Sequence, residues 1–269
     1  MTPETCARLA RAALEAEVSA TPKPGLVDRA NTGAHRDMDY DLFLRSAAAL
    51  EPFFADFYRL GAETPCDRLL PALRARGLTA EEAMFRATGG VNTHKGALFS
   101  LGLLCAACGA LERRGEPLTP DGVCLFVARL TEGITAELRQ APTHGGSAWR
   151  RTGSLGVRGE AEGGYPAVRG LALPVYRARL RAGESGNDAA VYTLICLIAR
   201  AEDTNLLARG GEEGARWARA QAQALTEHFS VPAAAALDRA FIARNLSPGG
   251  CADLLAAALF LHSVCPQTH

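Results

Sequence analysis

Only two of the 29 basic side chains are lysines, Lys23 and Lys95; the others are arginines. A chain that uses arginine wherever a surface cation serves has reason to keep lysine where a slim point charge is needed, and contact with a phosphate is such a place. Lys23 stands between Pro22 and Pro24, which stiffen the chain, and near Gly25, which lets backbone approach a ligand closely. The same segment, 21–39 (TPKPGLVDRANTGAHRDMD), carries Asp28, Asp37 and Asp39. These are hard oxygen donors of the kind magnesium takes. His35 titrates near neutrality. Asp39 and Asp41 are better explained as the cap and first-turn charge of the next helix. Lys95 closes a second segment, 88–96 (TGGVNTHKG). There Gly89, Gly90, Asn92, Thr93, His94 and Gly96 run into a helix N-terminus, a ready anion site, with Gly96 leaving room for a phosphate.

Three further loops carry chemistry-bearing residues. In 142–166, Arg158-Gly159-Glu160-Ala161-Glu162 sets an arginine and two carboxylates between glycines. That suits phosphate binding or acid–base work, and equally a surface ion-pair loop of little energetic consequence. In 202–211, Asp203, Thr204 and Asn205 precede Arg209 and a glycine pair. In 245–253, Ser247-Pro248-Gly249-Gly250 leads to Asp253, a carboxylate on an otherwise apolar helix. Long loops rich in Gly, His, Asn and Asp within a compact domain are usually functional. Together they describe a magnesium-dependent nucleotide enzyme without naming its reaction.

The frame that must position these loops reads as all-α. Ala, Leu, Arg and Glu dominate, period-two runs of β-branched residues are missing, and there is no P-loop motif. Helices are expected near 3–20, 40–60, 66–76, 80–88, 96–113, 120–140, 167–182, 187–201, 211–228, 231–245 and 248–262. Thr2-Pro3, Thr119-Pro120 and Ser247-Pro248 each place a hydroxyl before a first-turn proline, and Thr79 with Glu82 forms a capping box. With no linker or repeat, residues 1–269 read as a single compact helical domain of about ten or eleven helices.

Charges balance, 29 against 29, which argues against a nucleic-acid or acidic-membrane partner. The apolar stretch Ala97–Leu111 is short for a bilayer, and Met1–Ala20 lacks a signal-peptide pattern, so a cytoplasmic location is expected. The eight cysteines, including the Cys105/Cys108 pair, are then reduced and mostly buried. Apolar helix faces fit either a core or an interface between copies, so a homo-oligomer stays open.

The segments TPKPGLVDRANTGAHRDMD, TGGVNTHKGALFSLGLLCAA, GVRGEAEGGYP, EDTNLLARGG and NLSPGGCADLLA, in that order, resemble the triphosphoribosyl-dephospho-coenzyme A synthase family. The resemblance spans about residues 20–262. It departs at Gly146, where an acidic residue is expected after Thr143-His144-Gly145. It implies an all-α fold and transfer of the triphosphoribosyl group of ATP to the 2′-hydroxyl of 3′-dephospho-CoA, with release of adenine. The product would pass to a separate transferase acting on an acyl-carrier subunit of citrate lyase or malonate decarboxylase. On that reading Lys23, Lys95 and Arg158 hold phosphates, with Gly25, Asn92, Thr93, Gly96, Gly249 and Gly250 shaping the cradle. Asp28, Asp203 and Asp253 are the candidate Mg2+ ligands. Glu160 is the first choice of general base, with His94 and His35 as competitors. Hydrolysis of a nucleotide ribosyl bond and non-catalytic nucleotide binding are the alternatives.

Overall fold

A computed structural model describes residues 1–139 and 153–265. Gly146, with the rest of 140–152, lies outside the described residues. Eleven α-helices follow in order among the described residues: α1 (Pro3–Ser19), α2 (Tyr40–Glu63), α3 (Cys66–Thr88), α4 (Lys95–Arg113), α5 (Pro120–Leu130), α6 (Gly156–Glu162), α7 (Leu173–Arg181), α8 (Gly186–Arg200), α9 (Thr204–Glu227), α10 (Val231–Ala243) and α11 (Gly249–Val264). No strand occurs among the described residues.

Several expected caps form. Thr2 accepts from the Thr5 N–H at 3.1 Å, Asp39 from Leu42 at 2.8 Å and Thr119 from Gly122 at 3.0 Å. Others differ. The two helices expected at 66–76 and 80–88 are one continuous helix, α3. The capping box is absent because Thr79 donates back to the Ala75 carbonyl at 3.4 Å, as a mid-helix hydroxyl does. The helix expected over 120–140 stops at Leu130 and is followed by a 3-10 turn, Ile134–Arg139. The helix expected from 211 starts at Thr204 and bends at Gly211, whose φ is +62°.

Helix α4 is the centre of the fold. It packs against α1, α2, α3, α5 and α11. It is long and apolar enough to cross a membrane, yet 78% of its apolar window is buried inside the protein, which makes it a core helix here. Close approach to α2 depends on small residues. A Cβ on Gly61 would lie 1.9 Å from the Ala106 carbonyl oxygen, and one on Gly109 would lie 2.0 Å from the Tyr58 carbonyl oxygen. Backbone cannot yield as a side chain can. Gly61→Ala is therefore expected to lower stability by about 2–4 kcal/mol, read as a fall in the urea midpoint. Cys105 and Cys108 also sit in this core, fully buried with Cys6 of α1. All eight cysteines are free, and only Cys66 is exposed.

Candidate active site

The loops converge because carboxylates from one reach the backbone of another. Asp203 precedes α9 and caps it, its Oδ1 accepting from Asn205 at 2.8 Å and Leu206 at 3.0 Å. Its Oδ2 accepts the Cys251 N–H in the first turn of α11 at 2.8 Å. Asp253, one turn into α11, in turn accepts from the Ala97 N–H at the start of α4. Two carboxylates thus tie together the N-termini of α4, α9 and α11, where helix dipoles favour negative charge.

The glycines expected to admit phosphate admit these side chains instead. A Cβ on Gly96 would lie 1.9 Å from Asp253 Oδ2, one on Gly250 3.1 Å from Asp203 Oδ2, and one on Gly249 2.9 Å from Asn205 Nδ2. The space that the missing Cβ of Gly96, Gly249 and Gly250 leaves is thus filled by protein. Ser247 is not the cap of α11 either. Its hydroxyl meets His35 Nε2 at 2.9 Å.

The first loop is fixed from three sides. Asp28 Oδ2 accepts the Lys23 N–H at 2.9 Å, while its Oδ1 accepts those of Ala30 at 2.7 Å and Asn31 at 3.1 Å. Asp238 of α10 accepts from the Gly25 N–H and from Asn31 Nδ2, both at 2.9 Å. Gly25, at φ +69°, presses on the Leu246 carbonyl, which would lie 2.1 Å from an added Cβ. Arg209 donates to the Ala34 carbonyl at 2.9 Å, to Asn245 Oδ1 at 3.0 Å and to His35 Nδ1 at 3.1 Å. Because arginine only donates, Nδ1 of His35 accepts, and its proton sits on Nε2, facing Ser247. Burial and the Arg209 charge both hold His35 neutral, against Asp37. His35 therefore joins three loops.

Inside this ring lies a buried polar cluster. Lys23 is 1% exposed and its ammonium is hydrogen-bonded to Glu17 of α1, itself 5% exposed. His94 is 3% exposed. Its Nδ1 meets Ser46 Oγ at 2.8 Å, Thr93 donates to the same hydroxyl at 2.7 Å, and the ring packs edge-on against Phe43. Nε2 of His94 is buried and has no hydrogen-bond partner among the described residues. Burial, aided by the nearby Lys23 charge, pushes His94 down to about 3, so the imidazole is neutral. Burial raises Asp253 well above the usual carboxylate range, with the charges of Glu17 and Asp203 adding to the effect.

Glu160 stands on α6, half-buried, accepting the Ala167 N–H at 3.2 Å. Burial, reinforced by the Glu202 charge, lifts it to about 7. Ser154 donates to Glu202 at 3.0 Å, joining the third and fourth loops. Tyr165, fully buried two residues before Ala167, is held protonated by burial, and the charges of Glu160 and Asp253 both act on it.

Two candidate cations lie at the edge. Lys95 pairs with Glu81 at 2.8 Å and is half exposed, while its backbone N–H is capped by Asn92 at 3.2 Å. Arg158 lies 3.8 Å from Glu137. The three aspartates chosen as magnesium ligands do not form a cage. Among the described residues no group of three His, Cys, Asp or Glu side chains is placed to hold a metal ion. Asp28 and Asp203 already spend both oxygens on backbone N–H groups.

Sequence reasoning missed Glu17, Ser46, Tyr165, Glu202 and Asp238. For Glu17 and Asp238 a signal existed. Each falls on the apolar stripe of its helix, Glu17 with Ala10, Ala13 and Leu14, Asp238 with Ala234, Leu237 and Phe241. A carboxylate at a core position is costly unless it is paired, so it marks a site or a buried tie.

This all-helical scaffold carries, on or beside its converged loops, a buried lysine, a neutral buried histidine and a half-buried glutamate lifted to about 7, the residue types of an acid–base enzyme that handles an anionic substrate. The sequence profile of the family described as ATP:dephospho-CoA triphosphoribosyl transferase matches residues 3–268. A probable 2-(5''-triphosphoribosyl)-3'-dephosphocoenzyme-A synthase of Citrobacter koseri is 46% identical over 276 residues, covering 98% of this chain and 91% of the relative. The chain belongs to this transferase family. No solved structure matches it.

Proposed function

We infer that the chain transfers the triphosphoribosyl group of ATP to the ribose 2′-hydroxyl of 3′-dephospho-CoA and releases adenine. Family membership supports the substrates. The observation that carries the chemistry is Glu160, half-buried on α6 and bonded to the Ala167 N–H, its carboxyl lifted by burial to about 7. A general base works best when its pKa lies near the operating pH. Ionised Glu160 takes the proton of the attacking hydroxyl as the new glycosidic bond forms at the anomeric carbon. The adenine leaves with the electron pair of the broken C–N bond and must gain a proton.

The transition state carries oxocarbenium character, as in other glycosyl transfers. Asp253, beside the N-terminal end of α4 and held protonated by burial and by the charges of Glu17 and Asp203, is assigned as the acid that supplies the proton the departing adenine needs. The triphosphate is a handle, not a leaving group, and its binding energy positions the anomeric centre. Lys23 and Arg158 are assigned to the phosphates, with Lys95 at the rim, and Thr93 and Asn92 shaping the cradle around His94. His35 is a positioning residue, since both ring nitrogens are engaged. The engaged state of Asp28 and Asp203 favours magnesium arriving as the counter-ion of ATP, not as a resident of a protein cage. The product then serves a cytoplasmic transferase that loads an acyl-carrier subunit.

The test mixes the protein with MgATP and 3′-dephospho-CoA and follows products by mass spectrometry. Adenine and the triphosphoribosyl adduct are expected in equal amounts, and neither without the acceptor. Adenine alone would mark a hydrolase, and ATP binding without turnover a binding module.

A further inference from the structure

Lys23 holds a charge that its loop does not need. The loop is fixed through backbone, by Asp28 at the Lys23 N–H and by Asp238 at the Gly25 N–H, both at 2.9 Å. The ammonium contributes to neither bond. It reaches inward and meets Glu17. Such a buried ion pair adds little stability over an apolar pair of similar volume, because removing both charges from water costs about as much as their attraction returns. A structural reason for the pair is therefore weak.

The surroundings fit a ligand. The ammonium offers three N–H donors. Among the described residues Glu17 is its only hydrogen-bond partner. His94, whose buried Nε2 has no partner among the described residues, lies close enough for the Lys23 charge to act on its ring. Two buried polar groups from different elements, the N-terminus of α4 and the first loop, thus each keep hydrogen-bonding capacity that the described residues do not use. A carboxylate and a phosphate oxygen are alike to an ammonium, both taking a short charge-assisted bond. The flexible four-carbon stem of lysine can turn from one to the other, where a planar guanidinium would carry its fork with it.

We propose that Glu17 is a stand-in for the substrate: it holds the Lys23 ammonium while the site is free of nucleotide, and ATP takes that ammonium over through a triphosphate oxygen. This rests on the assignment of Lys23 to the phosphates. It adds a residue with a defined role, an internal competitor that keeps the buried lysine paired between turnovers and weakens ATP binding as it does so.

Lys23 and Lys95 being the only lysines makes a direct test available. In protein labelled with 15N-lysine the side-chain amines give two signals, and Lys95→Arg assigns them. ATP is expected to shift the Lys23 signal and adenosine to leave it in place. Glu17→Gln keeps the shape and removes the competing charge, so ATP should bind about tenfold tighter by calorimetry. A Lys23 signal unmoved at saturating ATP overturns the exchange, and this reading needs only the wild-type chain. Folded Glu17→Gln that binds ATP equally or more weakly also overturns it. Wild-type protein that neither binds ATP nor releases adenine with both substrates present overturns the functional reading itself. ATP binding and turnover with an unmoved Lys23 signal fell the exchange alone.

Discussion

Glu160→Gln should abolish transfer and stabilise the protein at the same time. Removing a general base costs about 10²–10⁴-fold in turnover, and ATP affinity should change little because Gln keeps the size and the acceptor for the Ala167 N–H. The stability effect follows from linkage. Burial lifts Glu160 from 4.5 to about 7 in the folded protein. Below about pH 4.5 folded and unfolded chains both hold the proton, and the group has no effect. Between about 4.5 and 7 the unfolded chain gives its proton up while the folded chain keeps it. Rising pH therefore favours unfolding across that window, and the loss is complete above 7. Gln resembles the protonated acid and escapes the loss. The variant should gain about 1–2 kcal/mol at pH 8, discounted for solvent contact, and almost nothing at pH 4. Wild-type turnover should rise with pH towards a plateau above about 7. Thermal melts at the two pH values, with a pH–rate profile, check both halves. An inactive variant without the pH-dependent gain would mean that Glu160 is not held high. An active one would remove it as the base.

The helical frame was legible because its signals are local. Helix formers, hydroxyl-proline starts and apolar spacing each act within a turn or two, and the caps at Thr2, Asp39 and Thr119 form as expected. The boundaries that moved depend on tertiary contact. Gly77 and Thr79 look like a break, yet α3 runs through them. The site was legible as a set of loops, not as contacts. Five loops do meet, but which carboxylate reaches which N–H is decided by how α4, α9 and α11 bring their N-termini together. Sequence spacing holds no record of that. Gly96 reads as room for phosphate because the residue that fills the room is far along the chain, at Asp253. Glu17 and Asp238 were readable in principle. A carboxylate on an apolar helical stripe is a local anomaly, and both prove to meet the first loop, Asp238 fixing it at the Gly25 N–H and Glu17 pairing with the Lys23 ammonium.

The contact between Gly96 and Asp253 separates packing from chemistry. In Gly96→Ala the new Cβ falls 1.9 Å from Asp253 Oδ2, inside any tolerable contact, so the carboxylate must leave the end of α4. Its bond to the Ala97 N–H goes with it, and a buried acid is left near Glu17 and Asp203. The expected cost is about 2–4 kcal/mol, together with loss of turnover. Asp253→Ala in the same chain removes the obstacle, and the methyl introduced by Gly96→Ala occupies part of the space the carboxylate held. The double variant should therefore regain most of the stability lost by Gly96→Ala, a coupling of about 1–3 kcal/mol for residues in direct contact. Turnover should not return, because the acid assigned to protonate the departing adenine is gone. Urea melts and an adenine-release assay on both single variants and the double variant complete the cycle. If the double variant recovers turnover along with stability, Asp253 is a cap for α4 and nothing more, and the acid that protonates the adenine must be another group.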